Sequence, residues 1–463
     1  MKTRKFELND EINDGLHLME NTSDNVLLEG KAGTGKSTTI NIFTANTHKR
    51  VVVLAPTAVA ALNIRGQTIH QFCRFPPRML NEDDIVAQYS PVYRMVDTII
   101  IDEISMVRAD LFDNVDRFMR LNGRDQNKPF GGVQMVLVGD LYQLPPVVEK
   151  EAGSIIKQRY QSPFFFDAKV AKEMNLKVVS LTKVYRHNNP DFIALLDGIR
   201  KGQATEENLR ALNARVNRFS ATENDSILTL ATTNKQSDSI NQERLNKLPG
   251  DAVTFKAVMT GYFQNMQRDL RNLPVDLELR LKKGARAVFL KNDPAGQWVN
   301  GSLGTVVDIA RDDVTVRLDE TLEEVKTSQV TWEKIRYAYD KINDRIISEV
   351  IGVLSQIPLR LAWSVTIHKS QGLTFDKIIV DFTHPVWDSG QAYVALSRCR
   401  TLDGISLKKK VYPSDIKVNK SVVEFLKTNA ALGAVPTIPF EIFSREAELK
   451  EIGDTVIAKG MKE

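Results

Sequence analysis

The sequence predicts an α/β fold with two successive parallel-sheet domains and a small antiparallel β-barrel inserted into the second. Three observations predict it. Apolar, β-branched runs recur with helix-like segments between them, which is the pattern of buried parallel strands. The first four runs end before residue 140 and the others follow Phe166, which favours two sheets over one. Between residues 273 and 340, short alternating runs separated by turn residues replace this rhythm.

The elements follow in chain order. The predicted parallel strands are residues 25–29, 51–55, 96–101, 134–138, 177–181, 226–230 and 377–381. The predicted barrel strands are residues 287–290, 304–309, 314–318 and 324–330. The resulting units are a first domain over 1–155 with a small insertion near 71–95, a second domain over 156–272 and 341–440, the barrel over 273–340, and a charged helical tail over 441–463.

Composition excludes several classes of protein. The 463 residues are 42% hydrophobic and 26% charged, as in ordinary globular proteins. The two cysteines, Cys73 and Cys399, are too few for a disulfide scaffold and too far apart for a thiolate metal site, so we expect a reducing, intracellular setting. The longest apolar run is too short to span a membrane, so we expect no membrane partner. A net charge of +4 permits a polyanionic partner without demonstrating one.

A glycine-rich segment after the first predicted strand has the pattern of a phosphate-binding loop. It consists of Gly30, Lys31, Ala32, Gly33, Thr34, Gly35, Lys36 and Ser37. Glycines let backbone amides wrap phosphates, and the N-terminus of the next helix adds a favourable dipole. Lys36 can reach the β- and γ-phosphates, and the Ser37 hydroxyl can ligate Mg²⁺. A glycine-rich turn without a ligand is the alternative.

Acidic and amide side chains follow two other predicted strands. Asp102 and Glu103 end the strand at 96–101, and Gln143 follows the strand at 134–138. Parallel sheets bind ligands at the carboxyl ends of their strands, so these groups belong near the phosphate-binding loop. We expect Asp102 to hold Mg²⁺, Glu103 to polarise the attacking water, and Gln143 either to sense the γ-phosphate or to orient water. The alternatives are acids that cap the next helix and a plain turn residue.

Motifs in both halves of the chain resemble those of superfamily-one DNA helicases of the petite-integration-frequency (PIF) type, close to the RecD-like group. The segments that carry the resemblance are residues 55–64, 68–70, 102–106, 139–146, 184–186, 366–372 and 393–398, with a barrel pattern at 299–304. They occur in the same order as in the family, and the resemblance extends over nearly the whole length of the chain.

The resemblance implies two RecA-like domains with ATP and Mg²⁺ between them, and 5′-to-3′ movement on single-stranded DNA. It places Arg186 and Arg398 opposite the γ-phosphate and Gly372 at the nucleotide, beside Lys36, Glu103 and Gln143. It also implies unwinding of tailed duplex or quadruplex DNA by a monomer, in replication, repair, recombination or telomere maintenance. The expected location is the bacterial cytoplasm, associated with the nucleoid, or the nucleus or mitochondrion of a eukaryote.

Several small polar donors are suited to phosphate contacts that hold a DNA strand without reading its sequence. They are Thr57, Thr68, His70, Thr366, His368 and Lys369. Each alone is more often structural, and their presence in both halves favours DNA binding. Phe72, Phe75 and Trp363 could stack on bases or pack in a core.

Two rival functions use the same phosphate-binding loop. One is an ATP-switched single-stranded DNA clamp that hydrolyses ATP without moving. The other is a small-molecule phosphotransferase, which leaves the second α/β half unexplained. We expect a helicase in which residues 71–95 separate the DNA strands.

Overall fold

The structure is a computed structural model that describes residues 8–76, 78–148, 150–185, 189–220, 225–265 and 273–429. The predicted tail at 441–463 lies outside the described residues. Within the described ranges, no helix is both long enough and apolar enough to cross a membrane.

The helices and strands are numbered here in chain order. The helices are α1 Asp10–Asn21, α2 Lys36–Asn46, α3 Ala58–Asn63, α4 Ile69–Phe72, α5 Val92–Met95, α6 Ala109–Asn122, α7 Lys150–Arg159, α8 Pro190–Arg200, α9 Glu206–Asn213, α10 Asn234–Lys247, α11 Gln391–Leu396 and α12 Lys420–Asn429. The strands are β1 Asn25–Gly30, β2 Val51–Ala55, β3 Gln67–Thr68, β4 Thr98–Ile101, β5 Gln134–Gly139, β6 Leu176–Leu181, β7 Leu228–Ala231, β8 Val253–Lys256, β9 Val258–Gly261, β10 Glu278–Leu281, β11 Arg286–Phe289, β12 Leu303–Ile309, β13 Asp313–Leu318, β14 Glu324–Ser328, β15 Val330–Asp340, β16 Arg345–Gln356, β17 Leu359–Leu361, β18 Ser364–Thr366, β19 Ile378–Asp381 and β20 Ile405–Leu407.

The first sheet is parallel and has the order β3-β2-β4-β5-β1-β6. Its central strands are buried on both faces, which explains their continuous apolar runs. Leu28 and Val136 face a core that includes Phe43 of α2, while Leu27 and Ile99 face a core on the other side. The sheet aligns the carboxyl ends of β1, β4 and β5 along one edge.

The second sheet is also parallel and has the order β18-β7-β19-β20. The chain forms two parallel sheets, and its antiparallel strands lie in sequence between β7 and β18 of the second; this confirms the predicted α/β fold class. The carboxyl ends of β18, β7 and β19 again share one edge.

The first domain extends further along the chain than the sequence predicted. Strand β6 pairs with β1 from Asn25 opposite Leu176 to Gly30 opposite Leu181, so it completes the first sheet rather than starting the second. Helix α12 also returns to the first domain, where Phe425 stacks on Phe166 with ring centroids 4.4 Å apart. Both differences have one cause: the hydrophobic pattern of an element shows that it is buried and does not show against what.

The insertion is larger than the predicted barrel over 273–340. It begins at Val253 in β8 and continues to Leu361 in β17, and it includes the antiparallel sheets β14-β13-β12-β11-β17, β10-β8 and β15-β16-β9. Strand β16, predicted in the second domain, pairs with β15 along its whole length. Turn residues Asn343 and Asp344 between these two strands mark a hairpin.

The β15–β16 hairpin reaches back to the first domain. The Tyr337 hydroxyl donates to the carbonyl oxygen of Val53 at 3.3 Å and accepts the Val53 N–H at 3.2 Å. The side-chain amides of Gln67 and Gln71 both donate to the Ile335 carbonyl, at 2.8 and 2.7 Å. The insertion therefore contacts the first domain although the chain connects it to the second.

We predict that Tyr337→Phe weakens this contact, because it leaves the backbone groups of Val53 without their side-chain partner. The expected cost is about 1 kcal/mol, measured as a lower urea midpoint. Tyr89→Phe is the matched control, since Tyr89 is fully exposed to solvent. Equal effects of the two variants would contradict the proposed importance of the Val53 contact.

Candidate nucleotide site between the two parallel sheets

The phosphate-binding segment lies between β1 and α2, at the carboxyl edge of the first sheet. Gly35 caps α2 with φ 91°, a left-handed conformation that favours glycine. The Thr39 N–H then donates to the Gly35 carbonyl at 2.8 Å, which starts the helix. The Thr34 hydroxyl donates to the Lys31 carbonyl at 2.9 Å and fixes the loop. This is the strand–loop–helix arrangement that binds phosphates at a helix N-terminus.

Lys36 occupies the first turn of α2. Its ammonium donates to the carbonyl oxygens of Gly30 at 2.6 Å and Lys31 at 3.0 Å. Burial lowers the pKa of Lys36, and the nearby carboxylates of Asp140 and Glu103 oppose that shift. A desolvated cation at this place is suited to contact phosphate oxygens.

Asp102 and Glu103 follow β4 at the same edge. The Glu103 N–H donates to Asp102 Oδ1 at 2.8 Å, and Glu103 has a positive φ of 50°, which turns the chain sharply after the strand. Burial, followed by repulsion from Asp102, raises the pKa of Glu103 to about 7. Burial also raises the pKa of Asp102. Strained backbone and buried acids of this kind are typical of catalytic sites.

The donor set at Ser37 and Asp102 fits Mg²⁺. Ser37 presents an exposed hydroxyl in the first turn of α2, and Asp102 presents a desolvated carboxylate. Magnesium prefers hard oxygen ligands and is usually bound by one or two protein groups together with phosphates and water. These two residues could therefore hold the ion together with the phosphates of a nucleotide.

Gln371 joins the two domains across this site, a connection that the sequence did not predict. Its side-chain amide, in the turn after β18, donates to Glu103 Oε2 at 3.1 Å and to Gln143 Oε1 at 3.2 Å. The predicted catalytic acid and the predicted γ-phosphate sensor thus share one donor from the second domain. The sequence feature that could have indicated this role is the position of Gln371 within the motif at 366–372.

A buried ion cluster lies behind the phosphate-binding segment. Arg200, the last residue of α8, donates from Nη2 to Glu29 and from Nη2 and Nε to Asp140 Oδ1, at 2.9 and 3.1 Å. Glu29 belongs to β1 and Asp140 follows β5, so a second-domain guanidinium neutralises two first-domain acids. Opposite charges in this arrangement compensate for burial.

The pKa shifts of the two acids in the cluster have opposite directions. Burial raises the pKa of Glu29 despite the Arg200 charge. Burial alone would also raise the pKa of Asp140, but the charges of Arg200 and Lys36 hold it below its ordinary value. The neighbouring acids Asp140 and Glu29 raise the pKa of Arg200, so the guanidinium stays charged between them.

Tyr393 extends this cluster to the phosphate-binding loop. Its hydroxyl, on α11 of the second domain, donates to Asp140 Oδ2 at 3.1 Å and accepts the Ala32 N–H at 3.5 Å. Burial raises the pKa of Tyr393, so the hydroxyl stays protonated and donates. The sequence did not predict roles for Glu29, Asp140, Arg200 or Tyr393.

Gly390 lies where the two domains approach each other closely at this site. It has φ +74°, and a Cβ here would clash with the carbonyl oxygens of Tyr142 and Gln143. Only glycine lets the start of α11 lie against the loop that carries Gln143.

The sequence also predicted nucleotide contacts by Arg186, Gly372 and Arg398 of the second domain, and the two of these residues that the structure describes are placed differently from each other. Arg398 is buried and donates from Nε to Val394 O at 2.9 Å and from Nη1 to Leu373 O at 3.2 Å. Burial dominates the raised pKa of Glu103, and the Arg398 charge opposes that shift. Gly372 is exposed with φ 82°, and Arg186 lies outside the described residues. The roles proposed for these three residues stay predictions.

The predicted DNA contacts fall at the carboxyl edges of both sheets. Thr57 follows β2 and its hydroxyl caps α3, whereas Thr68 ends β3 and its hydroxyl caps α4. His70 is half-buried on α4. These three positions lie at or just after the ends of the neighbouring strands β2 and β3, and their DNA contacts stay predictions.

In the second domain, the motif after β18 forms a tight turn. The Thr366 hydroxyl accepts the Lys369 N–H at 3.3 Å, and Thr366 itself is buried, so it holds the turn. Lys369 is exposed, while burial lowers the pKa of His368. Their DNA contacts also stay predictions.

We predict that Arg200→Met destabilises the fold by about 3–5 kcal/mol, because it leaves Glu29 and Asp140 buried without their cation. Lys201→Met is the matched control on the next residue, where an exposed pair with Asp197 contributes about 0–1 kcal/mol. Urea unfolding measures both. An Arg200 variant as stable as the control would contradict the structural importance of the cluster.

Known proteins resemble this chain throughout its length. A family model described as PIF1-like helicase matches residues 7–210. The protein named ATP-dependent DNA helicase Pif1 of Bdellovibrio bacteriovorus is 32% identical over 434 residues, which cover 92% of this chain and 93% of the relative.

Solved structures agree. Bacteroides sp. Pif1 in complex with ADP-AlF4 superposes with a TM-score of 0.82 at 34% identity and covers 93% of this chain and 98% of its own. Bacteroides Pif1 bound to single-stranded DNA has the same identity and coverage, with a TM-score of 0.67. The chain therefore belongs to the PIF1-like helicase family and is an ATP-hydrolysing helicase.

Proposed function

We propose that this chain uses ATP hydrolysis in the cleft to move 5′-to-3′ along single-stranded DNA and to displace the complementary strand. One observation carries the proposal: Gln371 of the second domain bonds both Glu103 and Gln143 of the first. A change in the distance between the domains must therefore alter the surroundings of the catalytic acid. Hydrolysis and domain movement are coupled through this contact.

The residues of the cleft supply the parts of a phosphoryl-transfer site. Lys36 and the loop amides hold the phosphates, and Glu103 orients the attacking water. Ser37 and Asp102 hold Mg²⁺, which when bound neutralises phosphate charge. Arg398 from the second domain adds positive charge near Glu103, in agreement with its proposed role at the γ-phosphate.

Single-stranded DNA is the proposed track. The predicted DNA contacts follow strand ends of the two sheets. They are Thr57, Thr68 and His70 in the first domain, and His368 and Lys369 in the second. A single DNA strand that binds along the edges of both sheets is held by each domain. When the width of the cleft changes, the distance along the DNA between the first-domain and second-domain contacts changes too. The relative from Bacteroides, named as bound to single-stranded DNA, supports this partner.

The direction of movement and the preferred DNA rest on the resemblance to the family. We propose 5′-tailed duplexes and quadruplexes as substrates, as needed in replication, repair, recombination and telomere maintenance. A monomer is the proposed working unit, because one chain supplies groups from both sides of the cleft.

Strand displacement on matched 5′-tailed and 3′-tailed duplexes tests the function. We expect ATP-dependent displacement of the 5′-tailed duplex and of a 5′-tailed quadruplex, with little on the 3′-tailed duplex. Preference for the 3′ tail would reverse the proposed direction. ATP hydrolysis with DNA binding and without displacement on any substrate would support the ATP-switched clamp instead.

We predict that Glu103→Gln lowers ATP turnover by about 10²- to 10⁴-fold while ATP still binds, because the amide keeps the shape of the side chain and cannot accept the proton from water. Steady-state hydrolysis and nucleotide binding measure the two effects. Glu206→Gln, at an exposed position of α9, is the control and should turn over at the parental rate. Parental turnover by the Glu103 variant would assign the water-activating role to another residue.

A further inference from the structure

Trp387 differs from the other tryptophans of this chain. The side chains of Trp298, Trp332 and Trp363 are each 6% exposed, whereas Trp387 is 54% exposed. The candidates Phe72 and Phe75 are also buried, so they pack in the core of the first domain. Trp387 is thus a large aromatic ring that the fold leaves open to solvent.

The exposed ring is held firmly in place. It stacks on His368 with ring centroids 5.5 Å apart and an interplanar angle of 11°. The indole N–H donates to the Thr232 carbonyl at 3.4 Å, and the backbone N–H of Trp387 donates to Gln391 Oε1 at 3.2 Å. One face of the ring is therefore covered by His368, and its orientation is set from three sides.

The position of Trp387 matches the path proposed for DNA. His368 follows β18, Thr232 follows β7 and Trp387 follows β19, so the ring lies at the carboxyl edge of the second sheet. Exposed Lys369 is next to His368, and exposed Lys235 lies in the first turn of α10, three residues beyond Thr232. Both lysines follow strands at this edge, and their ammonium groups are suited to bind the phosphates of a single strand.

We propose that the open face of Trp387 stacks on a base of the bound single-stranded DNA, with His368 supporting the ring from behind. The proposal deepens the function given above and rests on it. A flat ring beside cations is the combination that binds single strands without sequence preference, because every base has a π-face. Duplex DNA keeps its bases stacked on each other and does not offer such a face.

This stacking contact also lies close to the nucleotide site. Trp387 is three residues before Gly390, which lies against the backbone of Gln143, and α11 then carries Tyr393 to the phosphate-binding loop. A base on Trp387 therefore contacts the same short segment that contacts the ATP site.

Tryptophan fluorescence provides a direct test with the full chain. Because Trp387 is the exposed one of four tryptophans, acrylamide should quench mainly its emission. We expect a short oligothymidine to quench this emission and to protect it from acrylamide, at the same concentrations at which a labelled oligonucleotide shows binding by anisotropy. Trp387→Phe should lose the signal and keep most of the affinity, since an aromatic face remains.

Trp387→Ala should weaken binding of the oligothymidine about tenfold. Tyr412→Ala is the matched control, because Tyr412 is also an aromatic residue of the second domain and is 55% exposed. If anisotropy shows that the oligothymidine binds the parental protein but acrylamide quenching does not change on binding, the stacking contact is wrong and the helicase function still stands. Absence of any binding to single strands would overturn both.

Discussion

The buried ion cluster around Arg200 is the interaction on which the rest of the structure depends. Glu29 and Asp140 are drawn into the protein because β1 and β5 must be buried to form the first sheet. Lys36 is a first-domain cation near both acids, and Arg200 of α8 in the second domain is the cation that hydrogen-bonds to both. The nucleotide site is therefore completed only when the two domains lie together.

This constraint explains why the chemistry is divided between distant parts of the chain. The phosphate-binding loop, Asp102 and Glu103 follow strands of one sheet, so the sheet alone aligns them. Gln371 and Tyr393 come from loops and a helix of the other domain and bond the same groups from across the cleft. Each domain thus supplies some of the donors and acceptors of the hydrogen bonds across the cleft. The relative position of the domains decides whether these bonds can form.

The sequence predicted the parts of the fold and site that depend on local pattern. The glycine-rich loop and the acids after β4 follow from spacing within one strand–loop–helix unit, and the structure places them at one sheet edge. The partner of β6, the size of the insertion and the contacts of Arg200 depend on which surfaces meet. Buried strands have the same pattern in either sheet, and an arginine at a helix end has the same pattern whether it faces water or two acids. Such features are visible only when distant segments are brought together.

The β15–β16 hairpin gives the two domains a second connection of a different kind. Tyr337, Gln67 and Gln71 hold the hairpin through neutral hydrogen bonds, each of which contributes about 1 kcal/mol. The exposed Asp344 adds an ion pair with Arg50, which contributes about 0–1 kcal/mol. The Arg200 cluster is charged and buried, so partial separation there leaves acids without their cation and costs more. The hairpin is therefore the weaker of the two connections between the domains. The ion cluster, by contrast, fixes the contact of α8 with β1 and with the residue that follows β5.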